Sequence, residues 1–436
     1  MGSGNGHGHG HEGASTAPVL LLADDLSGAA EAALAHGGPS TLLLDPAAPA
    51  PGAEVLVVDL DSRSGPAGAA AAGLAAALER HAPGPGGQRR RVALKVDSLL
   101  RGHLAAVTAA ALATGAPVVL APALPVAGRT VRGGVVHVDG TPLHRTGAWH
   151  AELTAPPVSV AAALAPGSST AAPAVPAVVL GLDAVRSGEA ELTAAIAAAA
   201  AQRAVAVCDG SEDSDLDAVV RAATPLGAVL VGSAGVVAAL GRSRPAGPAP
   251  VLPPRTGERD VLVVVGTAAP GARTQVALLR GAGAVVAGLA EDSDPGAVAA
   301  ALRSGCGVLT LPPGVVDPAR SRPLVSALAE TVRAVVAAHP AGVDLVLTGG
   351  ETARRVLDAL GVRSLEPLAQ VHHGAVVSRA PDGRLVATRP GSFGGADSLL
   401  ALARALGALP ETTPSSSAPT GTRPPTPSQV RQEIPR

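Results

Sequence analysis

Short apolar runs, each followed by an Ala-rich stretch of helical length, recur along almost the whole chain. VLLLAD (19–24), VLVVDL (55–60), RVALKVD (91–97), PVVLAP (117–122), AVVLGL (177–182), AVAVCD (204–209) and AVLVGS (228–233) read as buried strands. Helical stretches at 28–36, 67–81, 188–202 and 214–223 follow four of them. A strand that is apolar on both faces must be covered on both faces. Alternation with helices is the pattern of a parallel sheet sandwiched between helical layers.

The series breaks at RSRPAGPAPVLPPRTGER (242–259), which is dense in Pro and Gly and reads as a linker. It then resumes with VLVVVG (261–266), AVVAGL (284–289), GVLTLP (307–312), VDLVLTGG (343–350) and AVVSR (375–379), with helices expected at 271–282, 320–338, 351–360 and 395–406. A length of 436 residues fits two such domains. The expected organisation is a Gly/His-rich tail (1–17), an N-terminal α/β domain (18–241), the linker (242–259), a C-terminal α/β domain (260–410) and a Pro/Ser/Thr-rich tail (411–436). His7, His9 and His11 alternate in the first tail, which reads as solvated chain rather than as a metal site.

Composition narrows the function. One Trp, one Phe and no Tyr leave little for base stacking, and 33 basic against 35 acidic side chains supply no basic excess, so nucleic acid is not an expected partner. Cys208 and Cys306 are too few and too far apart for a disulfide framework or a metal site. The N-terminus lacks the apolar core of a signal peptide, and the Ala-rich runs are too weakly hydrophobic to enter a membrane. A cytoplasmic protein, with homo-oligomerisation left open, is the expectation.

Three strand ends in the N-terminal half carry polar clusters. ADDLSG places Asp24 and Asp25 at a carboxyl end, the edge where open α/β sheets bind ligands. Adjacent carboxylates there accept hydrogen bonds from substrate hydroxyls or act as a base; helix capping by Asp25 or Ser27 is the alternative. DLDSRSG brings Asp59, Asp61, Ser62 and Arg63, an arginine suited to gripping a carboxylate. KVDSLLRGH brings Lys95, Asp97, Ser98 and Arg101, and Lys95 is the only lysine in the chain. Cations, acceptors and a Gly turn at one strand end fit an anionic, hydroxylated ligand. Arg129, in the long Gly-rich segment 122–143, is a further candidate for the same cleft.

Three glycine turns mark the C-terminal half: VVVGTAAPGA (263–272), LVLTGGETARRVL (345–357) and RPGSFGGADSLLAL (389–402). Glycines let backbone N–H groups approach a phosphate, and a helix N-terminus adds a favourable dipole. Each turn alone is ordinary βα-turn chemistry. No GxxxxGK[ST] occurs, no GxGxxG follows a strand, and HExxH and GxSxG are absent.

Taken in order and spacing, ADDLSG, DLDSRS, KVDSLLRG, GRTVRGGVVHVDGTPL, GSAG (232–235), GTAAPGA, GGET and GSFGG resemble the four-carbon acid sugar kinase family over about residues 18–408. The resemblance implies two α/β domains with largely parallel sheets and an interdomain active-site cleft. It implies an acid-sugar site in the first domain, ATP with Mg²⁺ in the second, and phosphorylation of the terminal 4-hydroxyl of threonate, erythronate or a 3-oxo-tetronate. Asp24, Asp25, Arg63, Lys95, Val96, Asp97, Ser98 and Arg101 would touch the sugar acid, with Asp25, Lys95 and Asp97 in catalytic roles. Gly266, Thr267, Gly349, Gly350, Glu351, Thr352, Gly391 and Gly394 would hold ATP. The chain departs from the family pattern at Ser27, His103, Ala269, Ala353 and Arg389–Pro390. Two other readings stand beside the kinase: a non-catalytic sugar-acid or nucleotide sensor, and an aldolase or epimerase using Lys95 as a Schiff base.

Overall fold

A computed structural model of the protein describes residues 17–49, 52–149, 152, 154–165, 174–244, 252, 259–266, 270–289, 295–302, 305–311, 318–339, 342–391 and 394–409. Residues 1–16, the tail 411–436 and most of the expected linker lie outside the described residues, as do Thr267 and Phe393.

The N-terminal half contributes β1 (Val19–Ala23), β2 (Ser40–Leu43), β3 (Val55–Asp59), β4 (Arg91–Lys95), β5 (Val118–Ala121), β6 (Arg129–Arg132), β7 (Val135–Val138), β8 (Thr141–Pro142), β9 (Ala177–Leu180), β10 (Val205–Cys208) and β11 (Val229–Gly232). The C-terminal half adds β12 (Asp260–Val265), β13 (Val285–Gly288), β14 (Cys306–Thr310), β15 (Val343–Thr348), β16 (Ser364–His372), β17 (Ala375–Arg379) and β18 (Leu385–Arg389). The parallel strands alternate with helices, as the sequence pattern requires. All five residues of β1 are at most 1% exposed, because helices cover both faces.

The two halves share one sheet, ordered β13-β14-β12-β15-β18-β17-β16-β2-β3-β1-β4-β11-β5-β10-β9. Its seam is a short antiparallel pairing in which Ser364 and Leu365 of β16 oppose Leu43 and Leu42 of β2. The sequence reading lacked β2, β16 and β18. β2 has only four residues, and β16 contains Pro367 and is interrupted by the exposed Glu366 and Gln370, which masks a strand in an apolar-run search. β6, β7 and β8 form a separate small sheet, whose turn at Gly133–Gly134 donates backbone N–H groups to the Asp209 carboxylate beyond β10.

Chain direction decides where a ligand can sit. From β1 the chain first builds β2 and β3 on one side, then β4 on the other. The C-terminal half repeats this around β12, with β13 and β14 on one side and β15 on the other. Such reversals open a crevice at the carboxyl ends of the strands. No described helix is long and apolar enough to cross a membrane.

Candidate active site

The parallel register brings the polar strand ends together. Ala23 of β1 is paired with Asp59 of β3 and with Lys95 of β4, and Lys95 is paired with Gly232 of β11. Asp24, Asp25, Arg63, Lys95, Asp97, Ser98 and Arg101 therefore meet at one edge.

Arg63 is the hub. Its Nε and Nη2 donate to Asp24 at 2.8 and 2.7 Å, and Nη2 lies 2.9 Å from Asp25 Oδ1. Burial alone would lower this guanidinium's pKa, but Asp24, Asp25 and Asp97 outweigh it and hold Arg63 well above its usual range. Gly102 packs on the pair with φ +85°; a β-carbon there would stand 3.3 Å from both Arg63 Cγ and Asp24 Oδ2. The glycine of the LRG segment thus serves the ion pair directly.

Asp97 accepts from Arg101 Nε and Nη2, both at 2.8 Å, and from the Leu99 backbone at 3.1 Å. Burial works against its ionisation, yet Arg101, Arg63 and Lys95 together hold the carboxyl well below the usual range. An acid so firmly ionised and doubly engaged with Arg101 is a structural anchor for the loop. Arg129 reaches in from the small sheet and donates to Ser98 Oγ. Val96 sends its side chain into the core and its N–H to Gly232.

Asp25 does two things at once. Oδ1 caps the Leu26–His36 helix by accepting from the Gly28 N–H at 2.9 Å. Oδ2 faces the C-terminal half: a β-carbon on residue 350 would lie 2.9 Å from it and 3.4 Å from Ser27 Oγ. Lys95 Nζ packs on the same face of Gly28, 3.1 Å from where a β-carbon would be, and 3.4 Å from Glu31 Oε2. Glu31 in turn lies 3.7 Å from His373, on the β16–β17 turn.

The glycine turns cap three adjacent strands. Val265 pairs with Thr348 and Thr348 with Arg389, so Gly266, Gly349 and Gly391 follow neighbouring strand ends. Gly349 adopts φ +92° and donates to Arg389 O at 3.0 Å, which starts the Gly350–Ala359 helix. Thr352 is buried against Gly266, where a β-carbon would collide with it. Glu351 is exposed. Gly394 is further along, with φ +85°, packed on Ser398 and His372, which share a 2.8 Å hydrogen bond.

Two ion pairs lock this helix onto the N-terminal strand ends. Arg354 Nη1 donates to the fully buried Asp59 at 2.8 Å, and Arg355 lies 3.4 Å from Asp61. Sequence reading found neither Arg354 nor Glu31 nor His373. A single acid in the alanine face AAEAALA was the one available signal for Glu31.

A carboxylate-and-cation cluster facing the N-terminus of the Gly350–Ala359 helix fits a phosphotransferase, and the comparisons with known proteins agree. Residues 19–240 match the family model of a sugar-binding N-terminal domain, and residues 311–399 that of a nucleotide-binding C-terminal domain. The chain belongs to the four-carbon acid sugar kinase family. It is 35% identical over 409 residues to the D-threonate kinase of Cupriavidus necator, covering 86% of this chain and 94% of that protein. It is 34% identical over 422 residues to that of Bordetella bronchiseptica, covering 88% and 96%. A Salmonella typhimurium structure shares the fold at TM-score 0.70 and 23% identity, covering 89% of this chain and 99% of the other. A Haemophilus influenzae structure does so at TM-score 0.66 and 21% identity, covering 89% and 100%. These relatives give the sensor and aldolase readings no support.

Proposed function

We propose that this chain transfers the γ-phosphoryl group of ATP to the terminal 4-hydroxyl of a four-carbon sugar acid, with D-threonate, the substrate in its relatives' names, as the first candidate. The observation that carries this reading is the approach of Asp25 Oδ2 to Gly350. Oδ1 is already engaged by Gly28 and Arg63, which leaves Oδ2 to orient the attacking hydroxyl and accept its proton. Directly opposite stands a helix N-terminus, whose N–H groups and dipole favour a phosphate.

Phosphoryl transfer is mainly positioning and charge neutralisation. Lys95 is the cation best placed to bind the sugar carboxylate or the transferring phosphate: its ion pair with Glu31 is longer, at 3.4 Å, than those of Arg63 and Arg101. Gly266, Gly349 to Thr352, Gly391 and Gly394 line the nucleotide side. Among the described residues no three His, Cys, Asp or Glu side chains form a metal cage. Mg²⁺ brought on ATP fits such a site, because it keeps water and phosphate ligands and needs no all-protein cage; both Asp24 oxygens are held by Arg63 and would not ligate it. Bound there, it would neutralise phosphate charge.

The proposed division is an acid-sugar domain at 18–241, a connecting segment at 242–259 and a nucleotide domain at 260–410. Any closure would pivot at the short β2–β16 seam. The test is ATP consumption with purified D-threonate, D-erythronate and their 3-oxo forms. A phosphorylated four-carbon acid is the expected product; ATP turnover with none of them would remove the reading.

A further inference from the structure

A cavity of about 460 Å³ opens at the edge of the sheet opposite the active site, at the amino-terminal ends of β4, β5 and β11. Arg89 and Arg91 stand at its rim, Arg90 between them turns its guanidinium away toward β1 and β3, and its walls include Val229, Leu230 and Leu240. No Asp or Glu lines it. In a chain with more acidic than basic side chains, that concentration of cations is local and uncompensated.

Two of the three arginines are held, and Arg89 is exposed. Arg90 is 3% exposed; its Nη1 donates to Val19 O and Glu54 O at 3.2 and 3.3 Å, while its Nε is buried with no hydrogen-bond partner. Arg91 donates to Thr224 Oγ1 at 2.7 Å. Burial disfavours the charged forms of both, and Arg244 adds repulsion at Arg91. Like charges in a half-enclosed, partly apolar recess are costly until an anion joins them. Guanidinium groups bind phosphate and carboxylate through paired N–H donors.

We infer that this cavity is a second ligand site, taking a small organic anion through its phosphate or carboxylate group. The volume is in the range of small-molecule pockets, and the Val and Leu walls suit a compact carbon body. It is separate from the phosphotransfer site: Arg91 and Lys95 stand at opposite ends of β4, about 13 Å apart at the rise of a strand.

The test is calorimetric titration of the full-length protein with inorganic phosphate and, in a second arm, with malonate. Lys95→Ala serves as the background, because it removes the active-site cation whose ion pair is longest, at 3.4 Å, against 2.7 and 2.8 Å for Arg63 and Arg101. The cavity predicts that binding of at least one anion survives Lys95→Ala and weakens about tenfold or more when Arg89→Gln and Arg91→Gln are added. Arg91 also supports Thr224, so Arg89→Gln, at an exposed position, is measured alone and is expected to weaken binding about threefold. The stronger arm tells phosphate from carboxylate as the recognised group. Loss of all anion binding in Lys95→Ala, or equal affinity with and without the two arginines, would overturn the assignment.

Discussion

Asp25 and Gly350, from opposite halves of the chain, are in such close apposition that a methyl group on residue 350 would stand 2.9 Å from Asp25 Oδ2. The carboxylate that caps the first helix also faces the N-terminus of the helix that begins the nucleotide-side turn. The N-terminal and C-terminal halves are therefore already in contact at this point.

Gly350→Ala tests that contact. Residue 350 sits in a helical turn where Ala is tolerated, so the fold should survive, with a melting temperature within a few degrees of the parent. The methyl must displace Asp25 or part the halves, and turnover should fall about tenfold or more. Gly349→Ala should differ, losing stability because φ +92° strains any L side chain. Thermal melts and initial rates on both variants separate the two effects.

Lys95→Ala should abolish detectable turnover while nucleotide affinity, read by titration with ADP, stays within about twofold, since Lys95 is on the sugar-acid side. Loss of ADP binding would move Lys95 to the wrong half-site.

Arg354→Leu should unfold the chain more easily by about 3 kcal/mol, because it leaves Asp59 buried without its guanidinium. The double variant Asp59→Asn, Arg354→Leu should recover part of that loss. Urea unfolding of the single and double variants measures it.

His36 sets an acid limit on stability. Its ring is 2% exposed, neither nitrogen has a hydrogen-bond partner, and burial, with Arg244 and Arg91, pushes its pKa down from 6.5 to about 4. The unfolded chain protonates first as pH falls, so the folded state loses stability from about pH 6.5 down to about 4 and no further from this group. The loss from this residue between pH 7.5 and pH 5 should be about 2 kcal/mol. In His36→Leu, denaturant unfolding at the two pH values should differ less by that amount.

The fold was legible at most strands buried on both faces, because such strands are uninterrupted apolar runs; β18 is buried but its run, LVATR, ends in Thr388 and Arg389. It was not legible at the seam, where β2 is short and β16 carries Pro367 and exposed side chains. The clustering of Asp24, Asp25, Arg63, Lys95 and Asp97 at one sheet edge was readable because polar residues end the apolar runs of β1, β3 and β4 at their carboxyl ends. The tie from Arg354 to Asp59 spans 295 residues, and no local pattern could announce it. Sequence also left Asp25 between capping and catalysis, and its two oxygens allow both: Oδ1 caps and Oδ2 faces Gly350.

The most direct measurement is a crystal structure with D-threonate and a non-hydrolysable ATP analogue bound together. The account predicts the sugar carboxylate at Lys95, its 4-hydroxyl at Asp25 Oδ2, and the terminal phosphate on the Gly349–Gly350 turn. Either ligand bound away from that junction, or the reacting hydroxyl and phosphate on opposite surfaces, would contradict it.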